Sequence, residues 1–360
     1  MHPRPAVVLI EPRDRFVFVP LLYELMSGEL KGWEVAPDYA SLLQGHGISH
    51  LQDRASSIDL DARSVTTASG RALHYSQLVI ATGAQPEDFG IQGVRDNALN
   101  FHTLSDLQPL QERVQELRRR PSGTSSLVIA GAGATGVELA CKLVDMLKGA
   151  ATVQLVELGD QILPRSKAFN REQAQKALKK RGVTVHLNTK VDSVTATSVM
   201  LSGAQGSFQQ NHDGLVWTAG SRPSIPDISP KLELHQGRLP VTESLRLQGY
   251  PEVLALGDIA VNPDADELSS WPHSAQAAIQ QGQFAAQELK AKLRDRDANT
   301  FVFNDLGEML SLGIGDASIT GLGLTLAGPL AFKLRRLTYL TRLPGLSLGL
   351  RAAGAWLVSP

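Results

Sequence analysis

The stretch SLVIAGAGATGVELACKL at 126–143 constrains this chain more than any other part of it. An apolar run of strand type leads into Gly131-x-Gly133-x-x-Gly136, a helix-period pattern follows, and a second apolar run ends at Glu157. Strand, glycine turn, helix, strand and acid in that order describe a dinucleotide-binding βαβ unit. Gly131 makes the tight turn, Gly133 lets the backbone approach a pyrophosphate, and Gly136 lets helix pack on strand. The helix N-terminus then offers unpaired N–H groups to the phosphates. Glu157 would accept hydrogen bonds from the adenosine ribose and repel a 2′-phosphate, which favours NADH over NADPH. The alternative is a glycine-rich turn that binds nothing.

VQLVELGD at 153–160 has a second copy, VVLIEPRD at 7–14. Gly131 precedes Glu157 by 26 positions (157 − 131), so the glycine matching Glu11 would fall near −15 (11 − 26). With a strand of about 5–6 residues, a first βα unit of roughly 20 residues is expected upstream of Met1. A start assigned too late and a truncated product both account for this. An opening strand that never had such a partner is the third reading.

At 360 residues, 42% hydrophobic and 20% charged, the chain can build two ordinary domains. A net charge of −1 gives no electrostatic case for nucleic acid. No signal peptide opens the sequence and no apolar run reaches the roughly 18 residues of a spanning helix, so a cytosol-like compartment is expected. One cysteine, Cys141, excludes a dithiol mechanism and reads as a buried structural thiol. No metal-ligand constellation stands out. Strand-like runs at 7–11, 78–82, 126–130, 152–157, 183–187, 214–218 and 253–256 alternate with helical patterns at 104–119, 135–148, 170–181 and 273–293. This alternation predicts an α/β fold of parallel sheets wrapped by helices. RRRPSGTSS (118–126) and LPVTESLRLQGYPE (239–252) read as linkers into and out of the nucleotide domain.

LVIATGAQP (78–86) and LVWTAGSRPS (215–224) share a form, an apolar strand, then Thr or Ala beside Gly, then Pro. Gly83 and Gly220 permit close backbone approach to a nucleotide. LALGDIA (254–260) delivers Gly257-Asp258 at the carboxyl end of a buried strand, where ligands of open α/β sheets bind. Asp258 is placed to accept from a ribityl hydroxyl, and Ile259 and Ala260 to offer N–H groups to a phosphate; a plain helix cap is the alternative.

ATG at 81–83, GAGATGVELA at 131–140, WTAG at 217–220 and LGDIA at 256–260 resemble, in order and spacing, the two-dinucleotide-fold flavoproteins. PLLYELMSGEL (20–30), WPHSAQAAIQQG (271–282) and a basic, apolar tail make the chain most similar to type II NADH:quinone oxidoreductases. The wording around 217–224 leans toward the cyanobacterial and plastid branch of demethylphylloquinone reductases. The resemblance implies two Rossmann-like domains, the NAD(P)H domain inserted in an FAD domain: 1–120 (first part of the FAD domain, without its first strand and GxGxxG), 121–240 (NAD(P)H domain), 241–316 (second part) and 317–360 (membrane-associated segment). It implies FAD held by Glu11, Ala81, Thr82, Gly83, Asp258, Ile259 and Ala260, and NAD held by Gly131, Gly133, Gly136, Glu157 and Gly220. With its glycine turn absent, the chain is expected to hold flavin substoichiometrically.

The implied activity passes electrons from NAD(P)H through FAD to a membrane quinone, of naphthoquinone (demethylphylloquinone) or plastoquinone type, without proton pumping. Gln276 and Gln280, four apart and so on one helix face, would donate to quinone oxygens; a solvated face is the bland alternative. Glu138 resembles a family carboxylate near nicotinamide and quinone and would relay a proton, or else only stabilise the helix dipole. Pro20–Tyr23 would pack near the flavin or serve as core. The 44 residues from Ala317 carry five basic residues and no acid, as expected of a segment lying in the headgroups of an anionic membrane or covering a second subunit. Peripheral attachment at a cytoplasmic membrane face follows, thylakoid or plasma membrane in a cyanobacterium, with a homodimer left open. Deleting 317–360 is expected to spare NADH oxidation by a soluble acceptor, provided the tail covers no core. A flavin-free NAD-binding protein and a soluble reductase of an iron–sulfur protein are the competing readings.

Overall fold

The computed structural model describes residues 5–266, 270–294 and 299–358. Contacts divide the chain into two units, one of Met1–Arg15, Tyr39–Gln85 and Ser221–Asp305, the other of Phe16–Asp38, Pro86–Gly220 and Leu306–Pro360.

The second unit is built on a five-stranded parallel sheet. Its strands lie in the order Thr184–His186, Ala151–Val156, Ser125–Ala130, Gly214–Trp217, Leu99–Asn100. The central strand reads SSLVIA, and Leu127, Val128, Ile129 and Ala130 are all buried, as a parallel strand covered on both faces requires. Helix Leu104–Arg118 begins at Thr103, whose own N–H donates to Asp106 Oδ2 at 2.7 Å in a capping box. Helices Ala134–Leu147 and Ala168–Lys180 complete the expected alternation. The crossover between Thr184–His186 and Gly214–Trp217 is an antiparallel three-stranded sheet, Lys190–Val194, Ser198–Gly203 and Gly206–Asn211, which the helix-strand pattern did not anticipate. After it come strands Glu308–Ser311, Ala317–Gly321 and Leu324–Ala327 and helices Pro329–Leu340 and Leu346–Val358.

The grouping differs from the division expected from sequence. Leu22, Tyr23, Met26, Leu310 and Leu312 share one core with Val137, Cys141 and Leu143 of the fingerprint helix, so 16–38 and 306–360 join the nucleotide unit. A boundary at 317 would cut a sheet in which Ala317–Gly321 is the middle strand.

In the first unit Val7–Ile10 pairs in parallel with Ile48–Leu51. Ala55–Asp59, Ser64–Thr67 and Ala72–His74 form an antiparallel meander, and Leu78–Ile80 runs parallel to Tyr250–Ala255. The 239–252 stretch is not a solvated linker. Leu239, Val241, Leu245 and Leu247 are each at most 1% exposed and sit in this unit's core with Val253 and Leu254. Their apolar side chains outweigh the turn-forming Pro, Gly and Ser that suggested a loop.

Candidate functional site

The glycine turn follows the central strand. Gly131 takes φ +100° and its N–H donates to Val156 O at 2.7 Å, which ties the turn to the neighbouring strand. A Cβ at Gly131 would lie 2.9 Å from the backbone of Ala219. One at Gly136 would lie 1.9 Å from Gly131 O and 2.8 Å from Thr218 Oγ1. These two glycines are therefore required by the fold itself. Gly133 has φ −69° and would meet nothing within 4 Å, leaving an open face at the N-cap of helix Ala134–Leu147, where N–H groups and the helix dipole attract anions.

Glu157 closes the turn from the other side. Its Oε2 accepts the Ala132 N–H at 2.6 Å and its Oε1 the Gly159 N–H at 2.8 Å, so the acid both shapes the glycine turn and faces the crevice half-buried. Thr218 Oγ1 donates to Ala130 O at 2.8 Å, fixing the WTAG turn beside the glycine turn. Gly220, φ +91°, carries the Phe89 ring so closely that a Cβ would lie 2.5 Å from its Cζ. Gly131, Gly133, Gly136, Glu157 and Gly220 thus come together at the carboxyl ends of the strands, where the chain can cradle a pyrophosphate and a ribose.

In the first unit the Leu256 N–H donates to Ile80 O at 3.0 Å, setting Ala81-Thr82-Gly83 beside Gly257-Asp258 at the carboxyl ends of two parallel strands. Gly83 and Gly257 take φ +65° and +71°, and a Cβ at Gly83 would meet nothing within 4 Å. The Gly257 N–H donates to Gln281 Oε1 at 2.7 Å, while Gln281 Nε2, fully buried, has no partner among the described residues. Open glycine turns and a buried orphan donor fit a flavin nucleotide at this end. Two expected contacts differ. The Ala260 N–H donates to Gly257 O within the 3-10 turn Gly257–Ile259, so it is not set out for a phosphate. The Glu11 carboxylate is gripped by Arg13, Oε1 accepting from its N–H at 2.9 Å and Nε at 2.8 Å, Oε2 from Nη2 at 2.8 Å. Burial raises its pKa, but the Arg13 hydrogen bonds and charge outweigh that and hold it below the usual value.

Gln276 and Gln280 do share a face of helix Ala275–Lys292, Gln280 Nε2 standing 3.4 Å from Gln276 Oε1. The Gln280 amide is engaged at both ends by Asn304, donating to its O at 2.8 Å and accepting its N–H at 2.9 Å. As placed, Gln280 clamps the chain at 304 rather than presenting a donor.

Glu138 is 6% exposed, on the fingerprint helix one turn beyond the glycines. Its Oε1 accepts the Ser311 N–H at 2.6 Å and stands 3.8 Å from Arg335 Nη2. Burial pushes its pKa up to about 7, against the pull of Arg335 and the Ser311 N–H. Cys141, on the same helix, is fully buried and pushed up to about 12 by burial, which leaves it an inert thiol. Arg335, Glu24 and Ser311 were not singled out from the sequence. Arg335 is one basic residue among five in the tail, and its partner Glu24 is 311 positions away, a separation no local pattern reports.

The tail is only partly the free basic surface its composition suggested. Arg335 is 1% exposed, Arg336 stacks at 4.4 Å on Trp356, and Arg351 lies 4.9 Å over Trp33. No helix among the described residues is long and apolar enough to cross a membrane.

The chain belongs to the pyridine nucleotide-disulphide oxidoreductase family, which residues 3–282 match. Over its whole length it is 36% identical to demethylphylloquinone reductase NdbB of Synechocystis sp., covering 90% of that protein. Over 94% of its length it is 33% identical to the alternative NAD(P)H-ubiquinone oxidoreductase C1, chloroplastic/mitochondrial, of Arabidopsis thaliana, covering 72% of it. In fold it matches NDH2 of Plasmodium falciparum with a TM-score of 0.84 at 17% identity, over 96% of this chain and 91% of that one. Over 91% of its length it is 26% identical to type II NADH:quinone oxidoreductase of Staphylococcus aureus, covering 84% of that protein.

Proposed function

We propose that this chain is an NAD(P)H:quinone oxidoreductase of the type II class, working without proton pumping. One observation carries the reading: the helix that opens on the anion-binding glycine turn bears, one turn later, a buried carboxyl that titrates at about 7. A nucleotide cradle and a group able to hold or release a proton at neutral pH are thereby built on one element.

The chemistry supplied by bound FAD is acceptance of a hydride from the nicotinamide and release of its two electrons to a quinone. The turns at Gly83 and Gly257, with Asp258 and Gln281 beside them, would hold it. On the other unit, Gly131, Gly133 and the first turn of the fingerprint helix bind the dinucleotide pyrophosphate, and Glu157 orients its ribose. Glu138, half protonated near pH 7 and more fully below it, supplies the proton that a quinone needs beyond the hydride. Purified protein supplied with FAD should oxidise NADH with a water-soluble quinone as acceptor, and Glu138→Gln should slow the quinone reaction above all. A wild type that reduces ferricyanide but no quinone would sink this reading.

NADH is proposed as the preferred coenzyme because Glu157 would face a 2′-phosphate as a like charge. Glu157→Gln is expected to cut the NADH-over-NADPH ratio of kcat/KM by about tenfold, equivalent to about 1.4 kcal/mol. A wild type that prefers NADPH contradicts it. A naphthoquinone is proposed as acceptor on the strength of the 36% identical relative, and comparison with a plastoquinone analogue tests it.

Peripheral membrane contact is proposed for the outer face of helix Pro329–Leu340. Leu330 and Leu337, 65% and 59% exposed, flank exposed Lys333 at helical spacing, opposite buried Ala331, Phe332 and Arg335. Leu330→Glu with Leu337→Glu is expected to lower sedimentation with anionic vesicles at least about tenfold. Retention equal to wild type rules this face out.

A further inference from the structure

Two buried carboxyls share one guanidinium. Glu24, on helix Leu22–Ser27, is 0% exposed and Arg335 1%. Arg335 Nη1 donates to Glu24 Oε1, and Nη2 donates to Pro20 O at 2.8 Å while standing 3.8 Å from Glu138 Oε1. Glu24 Oε2 and Arg335 Nε have no hydrogen-bond partner among the described residues. The other titratable groups that face Glu138 are Tyr23 from the Glu24 helix, Tyr339 from the Arg335 helix, and Cys141 on its own helix. Tyr23, Tyr339 and Cys141 all have raised pKa values, chiefly from burial, and stay neutral.

A buried cluster with a net charge carries a desolvation penalty that a neutral one avoids. Arg336 also faces Glu24 but is shared with Glu29 and Glu34. Within the cluster of Glu24, Arg335 and Glu138 one cation therefore stands against two carboxyls, which is neutral only with one proton aboard, and such a pair titrates as a unit. The geometry decides which carboxyl keeps it. Glu24 has the direct hydrogen bond to the guanidinium, and Glu138 has only the longer approach to it, its close partners being the neutral Ser311 N–H and Tyr23 hydroxyl.

We propose that Glu24 is a positioning residue for Glu138: by holding Nη1 of Arg335 it leaves Glu138 the weaker share of the cation, so that the single proton of the cluster resides on Glu138. This rests on the role given to Glu138 above. The balance is closed. NADH gives up a hydride, two electrons with one proton, and becomes NAD⁺. The quinone takes two electrons and two protons to become quinol. The second proton leaves Glu138, which returns to the carboxylate and is reprotonated from water.

Glu24→Gln removes the competing carboxylate and hands Arg335 to Glu138, whose proton affinity falls. Quinone reduction by wild type should decline as pH rises through about 7, and in Glu24→Gln that decline should begin about one pH unit lower, a roughly tenfold loss at pH 8. A readout without turnover is the carboxylic C=O stretch in acid-minus-alkaline infrared difference spectra, assigned by its disappearance in Glu138→Gln. Its midpoint should move down by the same amount in Glu24→Gln and by less in Glu24→Asp, which keeps the charge but reaches less far. An unchanged or raised midpoint in Glu24→Gln overturns the proposal. If that variant does not fold, a wild-type midpoint in Glu24→Asp overturns it. Should wild type reduce no quinone at all, the functional reading falls and the infrared midpoints still decide the pairing.

Discussion

Gly136→Ala is expected to abolish the folded nucleotide unit, while Gly133→Ala, three residues away, folds normally and loses its dinucleotide. The Gly136 methyl would sit 1.9 Å from a backbone oxygen, Gly131 O, and 2.8 Å from Thr218 Oγ1, which is itself fixed by its bond to Ala130 O. Neither neighbour is the free end of a flexible side chain, so helix and strand must separate. Overpacking of this kind costs about 3 kcal/mol or more, a large part of the roughly 5–15 kcal/mol that holds a domain together. At Gly133 the backbone is in a region open to any residue, and the methyl would meet no protein atom within 4 Å. It would instead fill the approach of a pyrophosphate. Thermal unfolding should show Gly136→Ala melting far below wild type or remaining insoluble, and Gly133→Ala melting with it. NADH titration should show Gly133→Ala weakened at least about tenfold, about 1.4 kcal/mol. Wild-type binding by Gly133→Ala would mean that the crevice takes its ligand elsewhere.

The second large effect is expected at Arg335. Arg335→Met keeps most of the buried volume but leaves Glu24 and Glu138 without their cation, and stranding a buried charge costs about 3–5 kcal/mol. The sign with pH follows from Glu138. Its folded-state pKa is raised from 4.5 to about 7. Its contribution to stability is therefore full below about 4.5 and lost as pH rises through about 7. Without Arg335 the carboxyls are harder still to ionise in place. The deficit of Arg335→Met relative to wild type should be small near pH 5 and grow toward pH 8. Urea unfolding at several pH values measures it, and a deficit that does not vary with pH would show that Arg335 acts by packing alone.

The same observation revises what removal of the tail should do. Cutting at 317 takes away the middle strand of a sheet, the buried Phe332 and Arg335 together. Loss of stability and of NADH oxidation by any acceptor is now expected, and the exposed leucines of helix Pro329–Leu340 offer the narrower way to test membrane contact.

What the sequence determined by itself was whatever depends on neighbours along the chain. The apolar run 126–130 became a strand buried on both faces, and Gly131 and Gly136 sit where a Cβ would strike backbone. Glu157, the acid after the next strand, lies on the glycine turn because a βαβ unit returns its second strand beside the first. Helix and strand periodicity located the elements around them for the same short-range reason. Tertiary structure alone decided what depends on partners far along the chain. The 239–252 stretch became core because other strands covered its leucines. The Gln280 amide was taken by Asn304, and the Ala260 N–H by its own turn. Above all, Glu138 could be read as an acid in a helix, but its proton affinity could not be. That affinity comes from burial, from the Ser311 N–H and from a guanidinium arriving from position 335, and a desolvation penalty and a charge at 3.8 Å exist only once the chain has closed around them.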